Sequence, residues 1–316
     1  MKFKNFFNTG LVILCLSLVF SCSKDDKGTP ENPEAYNTKV SITDAPIDNA
    51  NVQAAFITIS EVKVNGRSIE GFQKTTVNIS SLQNGNSELL GNLNLESGTT
   101  SEISLVLDNE SDAAGDAPGN YILTADSEKK ALVATSGNIE ITDNVDIQAV
   151  ENNEIVLDFD LRKTIVEDES TGDYKFVSET KLGNSIRAVN SMETGIISGS
   201  VSNMNSSDAE TMVAFVYKKG TYTEAEAASE NNVGFSNAIS SSSVNNADGN
   251  FELHFIEEGD YELHFASFSD TNSNGSMAFE GMMDASSATA IDLQAFSVEA
   301  NSEITMEVVI AGLLGL

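Results

Sequence analysis

The sequence is short of several residue types, and each shortage narrows what the chain does. It has two cysteines in 316 residues, two histidines, four prolines and no tryptophan. Cys15 sits inside an apolar N-terminal run and Cys22 just after it, so no thiol lies beyond residue 22. Disulfides, thiolate catalysis and cysteine-based zinc sites are thereby excluded from the folded region. Basic residues are scarce too, with 17 Lys and Arg against 48 Asp and Glu and a formal net charge of −31. Nucleic acid and anionic lipid surfaces are both bound through basic stripes, and none is present. The lack of Trp, with six Tyr, weighs against a sugar platform of exposed aromatic faces. Neither a Gly-x-Ser-x-Gly elbow nor a phosphate loop occurs.

What is present begins with Lys2 and Lys4, followed by the apolar run Leu11 to Phe20. That run is too short for the roughly 20 residues of a membrane-spanning helix. Ser21 and Cys22 follow it. The arrangement resembles a bacterial lipoprotein signal, which implies a signal peptide over 1–21 and lipidation at Cys22. Each buried methylene contributes about 0.8 kcal/mol, so several acyl chains anchor stably where one does not. Residues 22–37 form an acidic, polar tether containing Gly28, Pro30 and Pro33, a spacer that holds the rest off the membrane. Lys24, Asp25 and Asp26 resemble the short export signal of surface lipoproteins in Bacteroidetes-type bacteria. The expected location is the outer membrane, lipid-anchored and facing outward, with the periplasmic face as the alternative.

Apolar residues make up 40% of the chain, enough for ordinary cores. Beyond the tether, short runs alternate with period two and are separated by Gly, Asn, Asp and Ser clusters. The pattern predicts an all-β chain of two tandem antiparallel β-sandwich domains, over 38–190 and 191–316. Expected strands of the first include 38–43, 52–64, 75–79, 103–108, 154–161 and 185–189, with a helical turn within 81–90.

Two acidic motifs stand out. Asp44 ends a strand just before Ala45-Pro46, where its carboxylate is placed to accept nearby backbone N–H groups. In Ile155-Val-Leu-Asp-Phe-Asp-Leu-Arg-Lys163, alternation sets Asp158, Asp160 and Arg162 on the face opposite Ile155, Leu157, Phe159 and Leu161. Neighbouring positions on one strand face lie roughly 6.5–7 Å apart. Two carboxylates at that spacing suit a polar network neutralised by Arg162, a shared cation, or a glycosidase-type acid pair.

These runs, together with Val62-Lys-Val64, Leu82-Gln-Asn-Gly-Asn86 and Ser185-Ile-Arg-Ala-Val189, resemble a family of domains of unknown function, DUF4382. The resemblance covers about 150 residues in matching order and implies a domain of bacterial lipoproteins and exported proteins, with no activity attached. Where relatives often carry a His after the Val-x-Val strand, this chain has Asn65.

In the second half, Gly195 to Val201, Val213 to Tyr217, Asp248 to Leu253 and Gly259 to Leu263 resemble the transthyretin-like or Cna-B-like sandwiches of carboxypeptidase regulatory domains. That resemblance implies a stalk or adhesion spacer. Both histidines lie in matching pentapeptides, Phe251-Glu-Leu-His-Phe255 and Tyr261-Glu-Leu-His-Phe265. A hairpin pairing them sets His254 opposite Glu262 and His264 opposite Glu252; two-histidine zinc ligation is the alternative. Asp270, Asn272, Asn274 and Gly275 copy the first half of a calcium loop. Position twelve is Gly281, with Glu280 one residue early, so the expectation is no cofactor unless Ca2+ binds through Asp270, Asn272, Asn274 and Glu280.

The functional expectation is a non-enzymatic binding, adhesion or structural module of the cell envelope. Its membrane contact runs through the N-terminal lipid, and its partner is an envelope or extracellular protein or glycan. The alternatives are a calcium-dependent adhesin and a glycan-acting enzyme using the acidic pair.

Overall fold

The computed structural model describes residues 34–44, 52–100, 102–168, 171–204, 210–227, 234–269 and 277–314. Cys22, Lys24, Asp25, Asp26, Asp270, Asn272 and Asn274, and the Ala45-Pro46 step, lie outside the described residues.

The chain is all-β, built from several sheets. A four-stranded sheet runs, edge to edge, Ile186–Asn190, Asn153–Phe159, Ala35–Thr43 and Glu88–Glu96. A second sheet is organised on the long strand Val52–Val64, which pairs with Ile103–Leu107 and Tyr121–Thr124 on its two edges. Alternation explains how they pack. Val40, Ile42, Ile155, Leu157 and Phe159 from the first sheet share one core with Ile57, Ile59, Val62 and Leu105 from the second. Most pairs are antiparallel, but Ala35–Thr43 runs parallel to Asn153–Phe159, so the chain's first described strand lies in the middle of its sheet.

Residues 194–313 build a single curled sheet. It folds over at Ala278–Ser287, which pairs Gly259–Ser269 on one side and Glu303–Leu313 on the other. The end strands Ser240–Ser243 and Asn250–Glu257 come back together, where the Glu252 N–H donates to Ser242 Oγ at 3.3 Å. A second parallel pair, Thr194–Ser202 with Glu303–Leu313, seats the last strand beside the first. The outer face of this sheet carries its own small core, where Phe235 stacks on Phe215 at 4.3 Å.

Three local expectations are corrected. The two histidine pentapeptides do not form a hairpin. Asn250–Glu257 pairs with Thr194–Ser202, and Gly259–Ser269 with Thr211–Lys218. Both pentapeptides carry apolar faces that meet across the core, shown by the edge-on Phe251 and Phe265 rings at 5.4 Å. A register shift opposite Ile196 and a positive φ of 56° at Phe255 break the alternation, so Ile256 rather than Phe255 is fully buried. The strand expected over 154–161 stops at Phe159 and gives way to the helical turn Leu161–Thr164. The helical turn expected within 81–90 is a short 3-10 turn, Ile79–Ser81, followed by the strand Glu88–Glu96.

The two halves are joined by one 3-10 turn, Ser191–Glu193, capped by the Asn190 side chain, which accepts the Met192 N–H at 3.2 Å. Their cores are separate clusters, one within residues 40–188 and the others within 197–310. Glu34–Leu316 nevertheless holds together as one compact unit. Because His254 and Glu262 belong to strands that do not pair, His254→Ala and Glu262→Ala should destabilise additively, within about 0.5 kcal/mol. Urea unfolding of the two single variants and the double variant checks this, and a hairpin would show clear coupling.

Candidate functional site

The acidic motifs converge where the two halves meet. The parallel pairing of Ala35–Thr43 places Thr43 beside Asp158, and the pairing with Ile186–Asn190 places Arg187 across from it. Phe159 enters the core, so Asp158 faces the opposite way, toward the second half, at 4% exposure. Its Oδ2 accepts a hydrogen bond from Arg187 Nη2 at 2.8 Å. Arg187 Nη1 in turn donates to the Phe255 carbonyl.

Asp160 is also buried, at 3% exposure. It sits at the N-cap of the turn Leu161–Thr164, and its carbonyl accepts the N–H groups of Lys163 and Thr164, both at 3.1 Å. Asp44 Oδ1 accepts the Leu161 N–H at 3.2 Å, so the Asp44 carboxylate holds a turn 117 residues away in sequence. The turn re-aims the chain: Arg162 and Lys163 leave the strand direction and reach across the joint. Arg162 Nη2 pairs with Asp160 Oδ2 at 3.1 Å, and Lys163 Nζ lies 3.3 Å from the same oxygen.

The rest of the Arg162 guanidinium serves the second half. Nη1 donates to the carbonyls of Gly234 and Phe235 at 2.7 and 3.0 Å, and Nε donates to Ser241 Oγ at 3.4 Å. The guanidinium also lies 5.1 Å over the Phe215 ring. Lys163 Nζ donates to the Ala238 carbonyl. Burial pushes the Asp158 carboxyl up, against the pull of Arg187, and pushes the Lys163 ammonium down, against the pull of Asp160. On the other side of the joint, the His254 ring lies over Gly85, where an added Cβ would stand 2.4 Å from Nδ1. Gly85 also has a φ of 74°, so glycine is required there twice over.

Sequence reasoning placed Asp158, Asp160 and Arg162 in one polar network with Asp44 serving a turn beside it, and the structure brings all four together. It corrects the pairing: Arg162 neutralises Asp160 alone, and Arg187 neutralises Asp158, because the strand ends before Arg162 and turns it away. Arg187 and Lys163 were missed. A lone Arg in the apolar run Ile186-Arg-Ala-Val189 was the available signal. The four-serine strand Ser240–Ser243, three of whose residues are buried, was missed as well.

A glycosidase-type pair needs an acid open to its substrate. Asp158 and Asp160 are each under 5% exposed and face arginine, an arrangement suited to holding two parts together. The calcium expectation rests mainly on residues outside those described. Of its ligands, Glu280 accepts from Ser269 Oγ at 2.6 Å and Ser267 Oγ at 2.7 Å, and these bonds hold its carboxyl below the usual range. Among the described residues, no group of three or more His, Cys, Asp or Glu is placed to hold a metal ion. No helix among them is long and apolar enough to cross a membrane.

His264 belongs to a separate aromatic cluster. Its ring stacks on Tyr222 at 3.9 Å and meets Tyr217 edge-on at 5.7 Å. Nε2 lies 3.6 Å from Glu262 Oε2, beyond hydrogen-bond reach, and Glu262 Oε1 accepts the Tyr222 N–H at 2.9 Å. Burial pushes the His264 imidazole down, with Glu262 only partly offsetting it.

Residues 37–178 match the family model described as "Domain of unknown function (DUF4382)". The DUF4382 segment thus includes Asp44, Asp158, Asp160, Arg162 and Lys163, while Arg187 and the carbonyls that the cations grip lie beyond it. Comparison with curated proteins gives no match. Among solved structures, the Bacillus anthracis TIE protein is 12% identical with a TM-score of 0.19, over 88% of this chain and 34% of that one. BcpA, the major pilin subunit of Bacillus cereus, is 10% identical with a TM-score of 0.21, over 88% of this chain and 70% of that one. GBS52, a minor pilin of Streptococcus agalactiae, is 10% identical with a TM-score of 0.20, over 88% and 97%. The chain spans about a third of the TIE protein's length. Scores near 0.2 carry no functional inference.

Two outcomes follow from the geometry. Asp158→Leu or Arg187→Met alone should cost about 3–5 kcal/mol, because each leaves a buried charge without its partner. The double variant should recover most of that loss, read by chemical denaturation. His264, with a folded-state pKa below the ordinary 6.5, binds its proton less readily folded than unfolded. Its contribution to stability is therefore complete above pH 6.5 and is lost as pH falls through the folded value. In His264→Gln this acid-side slope in thermal stability should be reduced.

Proposed function

We propose that the chain is a non-enzymatic module of the bacterial cell envelope, displayed on the outer membrane through a lipid on Cys22 and used for binding, adhesion or structure. The observation that carries this reading is the joint. The motif carboxylates Asp158 and Asp160, the groups with most promise for chemistry in the sequence, are each tied to an arginine that also grips the second half. Such wiring makes one stiff body of two β units, as a spacer or display module requires.

Other features support the same reading. The acidic composition favours solubility and repels like surfaces. Lys24, Asp25 and Asp26 favour outward display over periplasmic retention, and the polar tether supplies reach. The second half, read as a transthyretin-like or Cna-B-like sandwich, is the stalk, and the partner is an envelope or extracellular protein or glycan. In fractionated cells, Cys22→Ala should move the protein from the membrane to the soluble fraction. Protease added to intact cells should remove the wild-type protein. Retention of Cys22→Ala on membranes would sink the lipid anchor, and full protection from protease would sink surface display.

A further inference from the structure

The joint holds a partly open cavity of about 20 Å³. A cavity of roughly 10–15 Å³ or more has room for one water, so this one admits a single small guest. Its wall draws on both halves. Asp44 and Asp158 come from the first; Ser240, Ser241, Ser242 and Glu252 come from the second. None of the three cations of the joint lines it, since Arg162, Lys163 and Arg187 direct their N–H groups to carboxylates and carbonyls around it. The wall is therefore rich in oxygen, with the His254 imidazole, bonded to Glu252 Oε2 at 2.9 Å, as its one nitrogen-bearing ring.

One wall atom is a built acceptor in want of a partner. Asp158 Oδ2 is taken by Arg187, but Oδ1 is buried and accepts no hydrogen bond among the described residues. A carboxylate oxygen only accepts, so its partner must bring protons or positive charge. Buried carboxylates left half-satisfied are rare, because desolvation without a replacement is costly. The serine strand is the second sign of a guest. Ser240, Ser241 and Ser242 are at most 5% exposed, at a place where a sandwich strand would otherwise carry apolar groups. Ser241 Oγ already accepts from Arg162 Nε and Ser242 Oγ from the Glu252 N–H, but a hydroxyl has two lone pairs, so each can still offer one to a cation or a water.

Size and ligand count narrow the guest further. No set of three His, Cys, Asp or Glu among the described residues converges as a multivalent metal demands. The joint's three carboxylates, Asp44, Asp158 and Asp160, are already matched in number by three cations. A monovalent ion, or a water in its place, suits such a site. We propose that the cavity is a binding site for one small, positively polarised guest, a monovalent cation or a water, held by Asp158 Oδ1 and the serine hydroxyls. This site joins the two halves through the guest as well as through the arginines.

Crystals of the whole protein grown in rubidium chloride, with anomalous data, test this directly. A cation guest gives an anomalous peak in the cavity. It should also give a melting temperature higher by about 2 °C or more in sodium than in choline chloride at equal ionic strength, since choline is too large to enter. Asp158→Asn should lose that difference, and Asp284→Asn, an exposed acid elsewhere, should keep it. A water guest gives no anomalous peak and no ion preference, but density within hydrogen-bond distance of Asp158 Oδ1. Density showing the cavity empty, or closed by a wall side chain, overturns the proposal, and the wild-type crystal decides this even if Asp158→Asn fails to fold.

Discussion

The structure of the described chain turns on two buried ion pairs, Asp158 with Arg187 and Asp160 with Arg162. Each pair alone is a doubtful source of stability, because taking four charges out of water costs about as much as their attraction returns. What makes them effective is the rest of each guanidinium. Arg162 and Arg187 have more donors than one carboxylate oxygen uses, and the surplus reaches the carbonyls of Gly234, Phe235 and Phe255. The carboxylates fix the arginines in place, and the arginines fix the second half. Beside the joint, the chain ties the two separate cores through the turn Ser191–Glu193.

This arrangement explains why residues that look reactive in the sequence are structural in the fold. Two acids two residues apart suit hydrolysis or metal binding when they lie on an open strand face. Here the strand stops at Phe159, and a single helical turn swings Arg162 and Lys163 across the joint. Asp44 steadies that turn from the neighbouring strand.

Much of the architecture was legible in the sequence. Period-two alternation marks Val52–Val64, the last strand and most strands between them, and the all-β class follows. Where legibility failed, the cause was local backbone geometry. The strand Glu88–Glu96 contains Gly91 at a register shift against Val40 and Ser41, which disturbs its alternation. The two histidine pentapeptides share one polarity pattern, which fits both a hairpin and two strands facing across a core. The positive φ at Phe255, which breaks the alternation there, leaves no trace in residue type. In the joint, the polar residues of the Asp158 run announced a network. Arg187 lies 29 residues away from Asp158, and pairing at that range depends on sheet order. The carbonyl acceptors left no mark, because main-chain groups are the same at every position.

The two sides of the joint are built from different kinds of group. On one side of the joint, every gripping group is a side chain, and replacing any of Asp158, Asp160, Arg162 or Arg187 alters the grip. On the other side, the groups held at Gly234, Phe235, Ala238 and Phe255 are backbone oxygens, which survive almost any substitution that keeps the local path. The grip is therefore asymmetric: the first half contributes side chains throughout, while the second contributes mainly carbonyls, with Ser241 Oγ and the Phe215 ring as its side-chain partners. A substitution in the first half's clamp therefore alters the joint directly, whereas one at a residue that lends only its carbonyl acts through the backbone path alone.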